Sequence, residues 1–456
     1  MYILVLILAI PIGSYTASAA LFSDVSGHWS QSYIDWGVSQ SLAKGYEDGS
    51  FRPDDYITEI EFLALMLRAY GSVTRADELP SDWGRSYYKF ADDRGWPLAF
   101  DNGRGNFRRG QAALLIATAA KGTAFNENGA VQWLLDNGLS RGRTSATIAG
   151  YEAAGRVTRA EALTFIYTMK EKVAAVATAS LPKQTSGSLR GVSLGDKTGE
   201  LLYRLGQPSR IEAGDYDYEW HVYAKSYNEY AMYGVKGGSV SALFSNDAGS
   251  WSNTGGINVD GKLSAVLSSI PSAAKSSAKQ DDHYYEYGSN GNRHVLFLDG
   301  QEGKRIAGML IQLQSLTARQ SAALGEKERT AMEQQLFDLV NAERAQRGIG
   351  TLQWDALAGS TARAHSVDMM KKNYFDHTNL SGKSPFDRMK SAGIKYSMAS
   401  ENIAAGYANG LFAHYALLNS PGHRKSILDG KLTRLGTGVA FGGKYNVYFT
   451  QNYYTP

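Results

Sequence analysis

The chain has 456 residues, 43% of them hydrophobic and 20% charged, a net charge of +3 and no cysteine. That length asks for about three domains, and the composition excludes bulk disorder. The small net charge gives no argument for a nucleic-acid partner, and the missing thiols exclude cysteine catalysis and Cys-based zinc sites.

Residues 1–20 open with an apolar run from Tyr2 to Ile12, too short to span a bilayer, which needs about 20 residues. Ala17-Ser18-Ala19 follows as a small-x-small cleavage pattern, so the segment reads as a signal peptide. The protein is therefore expected to be secreted, with no transmembrane segment after cleavage. Export without disulfides suits the surface of a Gram-positive-type bacterium.

Residues 21–173 read as a helical repeat array. From Phe22 to Gly71 the pattern predicts helix, turn-rich loop, helix. Asp24 and Ser26 stand where they can cap the first helix, whose apolar positions are Ile34, Val38 and Leu42. Gly45, Asp48-Gly49 and Pro53 break the chain, and Thr58 with Glu61 spells a capping box. The plan recurs over 83–122 and 124–172, a period of roughly 50 residues.

The stretches FSDVSGHW, GYEDGSFRPD and VTRAEAL closely resemble the signature of the S-layer homology family. The resemblance implies an all-α, pseudo-threefold module that holds secreted proteins non-covalently on the cell wall by binding a pyruvylated secondary polysaccharide. An arginine in the first turn of a capped helix offers a carboxylate both a fixed fork and the positive helix end. By the family pattern this residue is Arg109 in the second copy and Arg159 in the third. The first copy has Glu59 there, which should repel an anion. Asp24 and Trp29 carry over as further glycan contacts, whereas Trp36 and Trp133 are expected in the core.

Residues 174–188 are small and polar without amphipathic pattern, and read as a flexible linker. Residues 189–318 then alternate like a half-buried α+β domain: a strand, a helix starting at Asp196, and strands in YEWHVY, YAMYGVKGGSVSALFS and HVLFLDG. The stretch 256–272 echoes the opening and suggests a duplicated strand–helix–strand unit. GVSLGD, LGQPS and YEWHVY look like the small domain that precedes many bacterial CAP domains. No polar constellation converges here, and His221, His283 and His294 are expected to be surface or structural residues.

Residues 330–456 hold four of the eight histidines, all between His365 and His423. A first helix carries Leu336, Leu339, Val340 and Ala342 and ends at Gly348. A second carries Ala358, Ala362, His365 and Met369, and a third starts at Pro385 with Phe386 and Met389 inward. A hairpin through Gly442-Gly443 closes the chain. From Thr330 onward 14 Lys/Arg stand against 9 Asp/Glu, a balance suited to an anionic polymer or envelope.

LVNAERAQRGIGTLQWD, the run from ARAHSVDMM to KSAGI, SENIAAGY and NSPGHRKSIL resemble the bacterial CAP (SCP/PR-1) superfamily. The resemblance implies an α-β-α sandwich whose exposed cleft is lined by two His and two Glu able to hold a divalent metal. Carried over, these are His377, Glu401 and His423, with Ser420 where the second Glu belongs and Leu417 in place of a usual Trp. Two imidazoles and one carboxylate suit zinc, or magnesium as the alternative ion, but the missing carboxylate removes the obvious fourth ligand or general base. His365 and His414 are expected to be structural, and Asn402 to tie its loop. A Ser420/His423/Glu401 hydrolase is poorly aligned, with no oxyanion motif beside it.

The sequence thus favours a wall-anchored, non-enzymatic surface protein whose cleft takes a small ligand, glycan, lipid or divalent metal. The alternative is a wall-tethered metal-dependent hydrolase acting on peptidoglycan or peptides, with His377, Glu401 and His423 as its catalytic groups.

Overall fold

The computed structural model describes residues 22–72, 84–101, 103–179, 187–320 and 323–456. The expected signal peptide and linker residues 180–186 lie outside them. The chain divides into two compact units, one up to Lys183 and one from Gln184.

In the first unit the main helices are Gln31–Ser39, Glu59–Ala69, Arg85–Asp93, Arg109–Lys121, Glu127–Asp136 and Arg159–Lys172. Thr58 and Glu61 form the expected capping box, and Thr158 with Glu161 forms the same box one hundred residues later. Ile34, Phe51, Phe62, Leu63, Phe107 and Leu163 are buried. Asp24 does not cap the first helix. Its two oxygens accept the amides of Phe51 (2.8 Å) and Arg52 (2.7 Å), closing the turn-rich loop instead. The start of the expected linker is also docked. Ala177 N donates to Ala119 O, Ala179 N donates to Arg94 O, and the Trp96 indole donates to Ala177 O. Backbone amides that find fixed partners hold even a small polar segment in place.

The second unit begins with an eight-stranded antiparallel sheet. Its order runs Arg210–Ala213, Glu219–Tyr223, Ala231–Lys236, Ser239–Ser245, Arg305–Leu313, Asn292–Asp299, Tyr284–Ser289 and Lys279–Asp281. These are two four-strand meanders joined where 239–245 meets 305–313. A short helix precedes each meander, Thr198–Leu205 and Leu263–Val266, and each is tied by a bridge, Lys197 to Ser239 and Lys262 to Arg305. The duplicated unit is therefore a helix plus a whole meander, larger than strand–helix–strand. Local motifs mark the helix starts, but pairing across the sheet is a long-range event that they do not encode.

One sheet face packs under those short helices through Leu243, Leu296, Leu298 and Met309. The other face (Trp220, Met232, Phe244, Phe297, Leu310) shares one continuous core with Met332, Leu336, Leu339 and Tyr415 of the C-terminal segment. There, four strands run in the order Gln353–Trp354, Arg434–Phe441, Val447–Thr455, Met398–Ala405. The helix Ala356–Lys372 lies against one face so closely that a Cβ on Gly436 or Gly438 would stand 2.0 Å from the amide nitrogens of Gly359 or Arg363. On the opposite face Thr437 donates to Glu333 O (2.6 Å) in the helix Glu326–Gln346. The helix Pro385–Ser391 buries Pro385 and Met389, and Phe386, expected inward, is 43% exposed. Seven residues offer a single inward stripe, and those two side chains fill it.

Candidate functional site

The cleft residues come from three elements. His377 stands in the loop after Asn373, where a left-handed residue (φ 53°) stops the helix Ala356–Lys372. Glu401 lies in the strand Met398–Ala405, and Ser420 and His423 lie at the start of the helix Pro421–Leu428. The structure brings His377 and His423 together, with ring centroids 6.4 Å apart.

Glu401 sits beneath them with its side chain 1% exposed, against 46% for His377. Its Oε1 accepts from His377 Nδ1 at 2.9 Å, and its Oε2 accepts from Arg388 Nη2 at 2.5 Å. With its amide turned to suit its neighbours, Asn452 donates a further bond to Oε2 at 3.1 Å. Arg388 also donates to the carbonyls of His377 (2.7 Å) and Lys383 (3.1 Å). A carboxylate paired on both oxygens is an orienting group: it fixes the Nδ1–H tautomer of His377 and leaves Nε2 toward solvent. Burial, with His377 nearby, lowers the pKa of His423, so that imidazole is held neutral. Asn402 donates to His423 O (3.1 Å), the loop tie expected for it.

His365 and His414 take no part. His365 is buried, with Nε2 on Asp376 O (3.0 Å), and burial lowers its pKa. His414 is fully buried.

The fit to a metal is poor as the residues stand. Two imidazoles on one tetrahedral zinc, with about 2.0–2.1 Å bonds, bring their ring centroids to about 5 Å, closer than the 6.4 Å here. Among the described residues no group of three or more His, Asp or Glu side chains is arranged to hold an ion.

In the helical unit, Arg109 and Arg159 each occupy the first position of a helix, as does Glu59. Arg109 is only 3% exposed, bonded to Glu161 (2.7 Å) and Tyr151 O (2.8 Å). It lies in the floor of a pocket of about 880 Å³ that Trp29, Arg143, Tyr167 and Lys172 also line. Trp29 is 58% exposed. Arg159 donates to Phe51 O and Lys44 O, lies over the Phe51 ring (4.5 Å), and lines a smaller pocket of about 150 Å³ with Lys44, Glu61 and Arg68. Glu59 is buried against Ala99 N (2.8 Å) and the Tyr88 hydroxyl (3.2 Å). Trp36 and Trp133 are half-buried.

Three family models match this chain. The Cysteine-rich secretory protein family (CAP) model covers residues 337–453, the CAP-associated N-terminal model covers 194–302, and the S-layer homology domain model covers 21–63. The chain carries an S-layer homology domain, a CAP-associated domain and a CAP domain. A Bacillus subtilis relative described as the uncharacterized membrane protein YlbC is 29% identical over 298 residues, which is 59% of this chain and 84% of that protein. A cellulosome-anchoring protein of Acetivibrio thermocellus is 44% identical over 46 residues, 10% of either chain. The crystal structure of an extracellular SCP-domain protein from Bacillus anthracis aligns over 61% of this chain and all of its own, with a TM-score of 0.50 and 24% identity, and so bears on the fold. Among the described residues no helix is long and apolar enough to cross a membrane.

The motifs of the CAP domain led to His377, Glu401 and His423 but not to Arg388 or Asn452. The signal was available in principle, because a carboxylate in the middle of a strand needs donors if it is buried. Which donors reach it depends on the fold.

Proposed function

We propose that the helical unit holds the protein at the cell surface on an anionic wall polysaccharide, and that the CAP domain presents its histidine cleft as a binding site. The matched S-layer homology domain and the cellulosome-anchoring relative support the first part. Within the helical unit, Arg159 is engaged by backbone carbonyls and, among the described residues, by no carboxylate, and it lines a pocket with Lys44, Arg68 and Glu61, a mainly cationic set that suits a carboxylate-bearing glycan. Arg109 has its charge engaged by Glu161, so its part in polymer contact is secondary, through the pocket it shares with Trp29.

The observation that carries the binding reading is the state of Glu401. A general base or metal ligand needs a lone pair that a cleft ligand can reach, and the Glu401 side chain is 1% exposed with its oxygens turned to His377 and Arg388. Ser420 supplies no carboxylate in its place. The two imbalanced imidazoles, one exposed and one half-buried, make a cleft suited to hydrogen-bonding a small ligand or glycan without a metal.

The test uses the full chain with soluble wall fragments. Affinity and product release are measured together for wild type, His377→Ala and His423→Ala. Weaker binding in both variants with no turnover in any protein, zinc or magnesium added, is expected. Turnover by wild type that both variants lose would replace this reading with the wall-tethered hydrolase.

A further inference from the structure

The CAP-associated domain makes a compact set of contacts to the one CAP segment that carries Ser420 and His423. A turn at 298–302 meets the helix junction at 419–424. Asn419 Nδ2 donates to Leu298 O (2.6 Å), its Oδ1 accepts from Gly300 N (2.6 Å), and its carbonyl accepts from the Gln301 side-chain amide (2.9 Å). Arg424 spreads its fork over two carboxylates of the same turn, Asp299 Oδ2 (2.8 Å) and Glu302 Oε1 (2.7 Å). Asp299 is fully buried, and Arg347 Nη2 also donates to it (2.8 Å), so its position is fixed from the CAP side as well. Asn419 directly precedes Ser420, and Arg424 directly follows His423. The cleft residues are thus bracketed by two residues that the neighbouring domain grips.

We propose that the 298–302 turn of the CAP-associated domain is a clamp that sets the position of the His423 arm of the cleft. His377 is placed from within the CAP domain, by Glu401 and Arg388. The helix of His423 is also tied inside the CAP domain, by Asn402 to His423 O (3.1 Å), by Ser400 to Ser426 and by Arg344 to Ile427 O (3.0 Å), whereas the two residues that bracket Ser420 and His423 reach across to the neighbouring domain. Charge-assisted and bidentate contacts are the strong ones, and Arg424 makes them to a different domain. This gives the CAP-associated domain a role beyond covering apolar surface: it is the second half of the cleft's support. Arg424, Asn419, Asp299 and Glu302 are positioning residues, and none of them needs to touch a ligand.

The inference rests on the cleft reading only for its consequence, since the clamp can be read with no ligand present. Amide hydrogen exchange on the full-length protein is compared for wild type, Arg424→Gln, Asn419→Ala and Glu302→Gln. The last variant lies on the CAP-associated domain at a half-exposed site (39%), where folding is not at risk. Peptides covering 419–426 should exchange about tenfold faster in Arg424→Gln and Asn419→Ala, and by a smaller factor in Glu302→Gln. Peptides covering 373–384 and 398–405 should keep wild-type rates, and Arg424→Lys should restore part of the protection. Carbethoxylation of His423 should quicken relative to His377 in the same order. Unchanged exchange at 419–426, or equal acceleration across the whole second unit, would overturn the clamp. A failed wall-fragment assay alongside the expected exchange pattern would instead count against the binding reading.

Discussion

The helical unit and the C-terminal unit each bury an ionisable side chain that has no opposite charge against it among the described residues, and the two are of opposite type. In the first unit Glu59 is 1% exposed and is met by neutral donors, the Tyr88 hydroxyl and the backbone amides from Ala99 to Asp101. Burial pushes its pKa up to about 7, against the pull of those donors. In the second unit His414 is fully buried with neither ring nitrogen hydrogen-bonded, and burial pushes it down to about 3. Both groups are pushed toward the neutral form by the same physical cause, but the neutral form of one is protonated and that of the other is not. Acid should therefore act on the two units in opposite directions. The same helix-start position that buries Glu59 without a cation buries Arg109 against Glu161, so the fate of a charge is set by its surroundings rather than by its place in the repeat.

The largest effect expected is at the paired site. Arg109→Ala removes one of the two arginines on Glu161, Arg143 remaining, and should cost the helical unit about 2–3 kcal/mol, with no shift in the unfolding of the C-terminal unit. Equal shifts in both transitions would break the division between them. The pH comparison comes next. The stabilisation from a protonated Glu59 is fully present below the ordinary value of 4.5 and is lost as pH rises through about 7. That from neutral His414 is present above 6.5 and is lost as pH falls toward 3. Between pH 7 and 5, calorimetry on Glu59→Gln should remove a stabilising trend of about 2 kcal/mol from the first transition. His414→Leu should remove an opposite trend of about 2 kcal/mol from the second. Variants whose pH trends match wild type would mean that these two groups do not set them.

Much of the fold was legible because it rests on local chemistry. The capping box at Thr58, the hairpin through Gly442-Gly443 and the amphipathic helix that carries Leu336, Leu339 and Val340 are all written in neighbouring residues. What escaped was non-local. Asp24 has the residue type of a helix cap, yet its partners are 27 and 28 positions away in the loop at Phe51 and Arg52. The linker reading failed over 174–179 because the Trp96 indole donates to Ala177 O and the Ala119 carbonyl accepts from Ala177 N, partners more than 50 positions away in the chain. At the cleft, the resemblance to the CAP superfamily pointed to His377, Glu401 and His423, because each lies in one of the stretches that carry that resemblance. Arg388 carried no such mark. It matters because Glu401 is buried, and burial is a property of the assembled sheet.

The proposed function turns first on whether the helical unit holds the protein on a wall polysaccharide independently of the CAP cleft. Its most direct test is co-sedimentation of the full-length protein with purified cell wall, before and after extraction of the secondary polysaccharide. Arg159→Ala, whose thermal unfolding is measured alongside because it loses the bonds to Phe51 O and Lys44 O, is compared with the His377→Ala/His423→Ala double variant. The account predicts that wild type and the histidine double variant sediment with intact wall and not with extracted wall, and that Arg159→Ala stays largely in solution. Undiminished sedimentation of Arg159→Ala, or loss of sedimentation in the histidine variant, would contradict it.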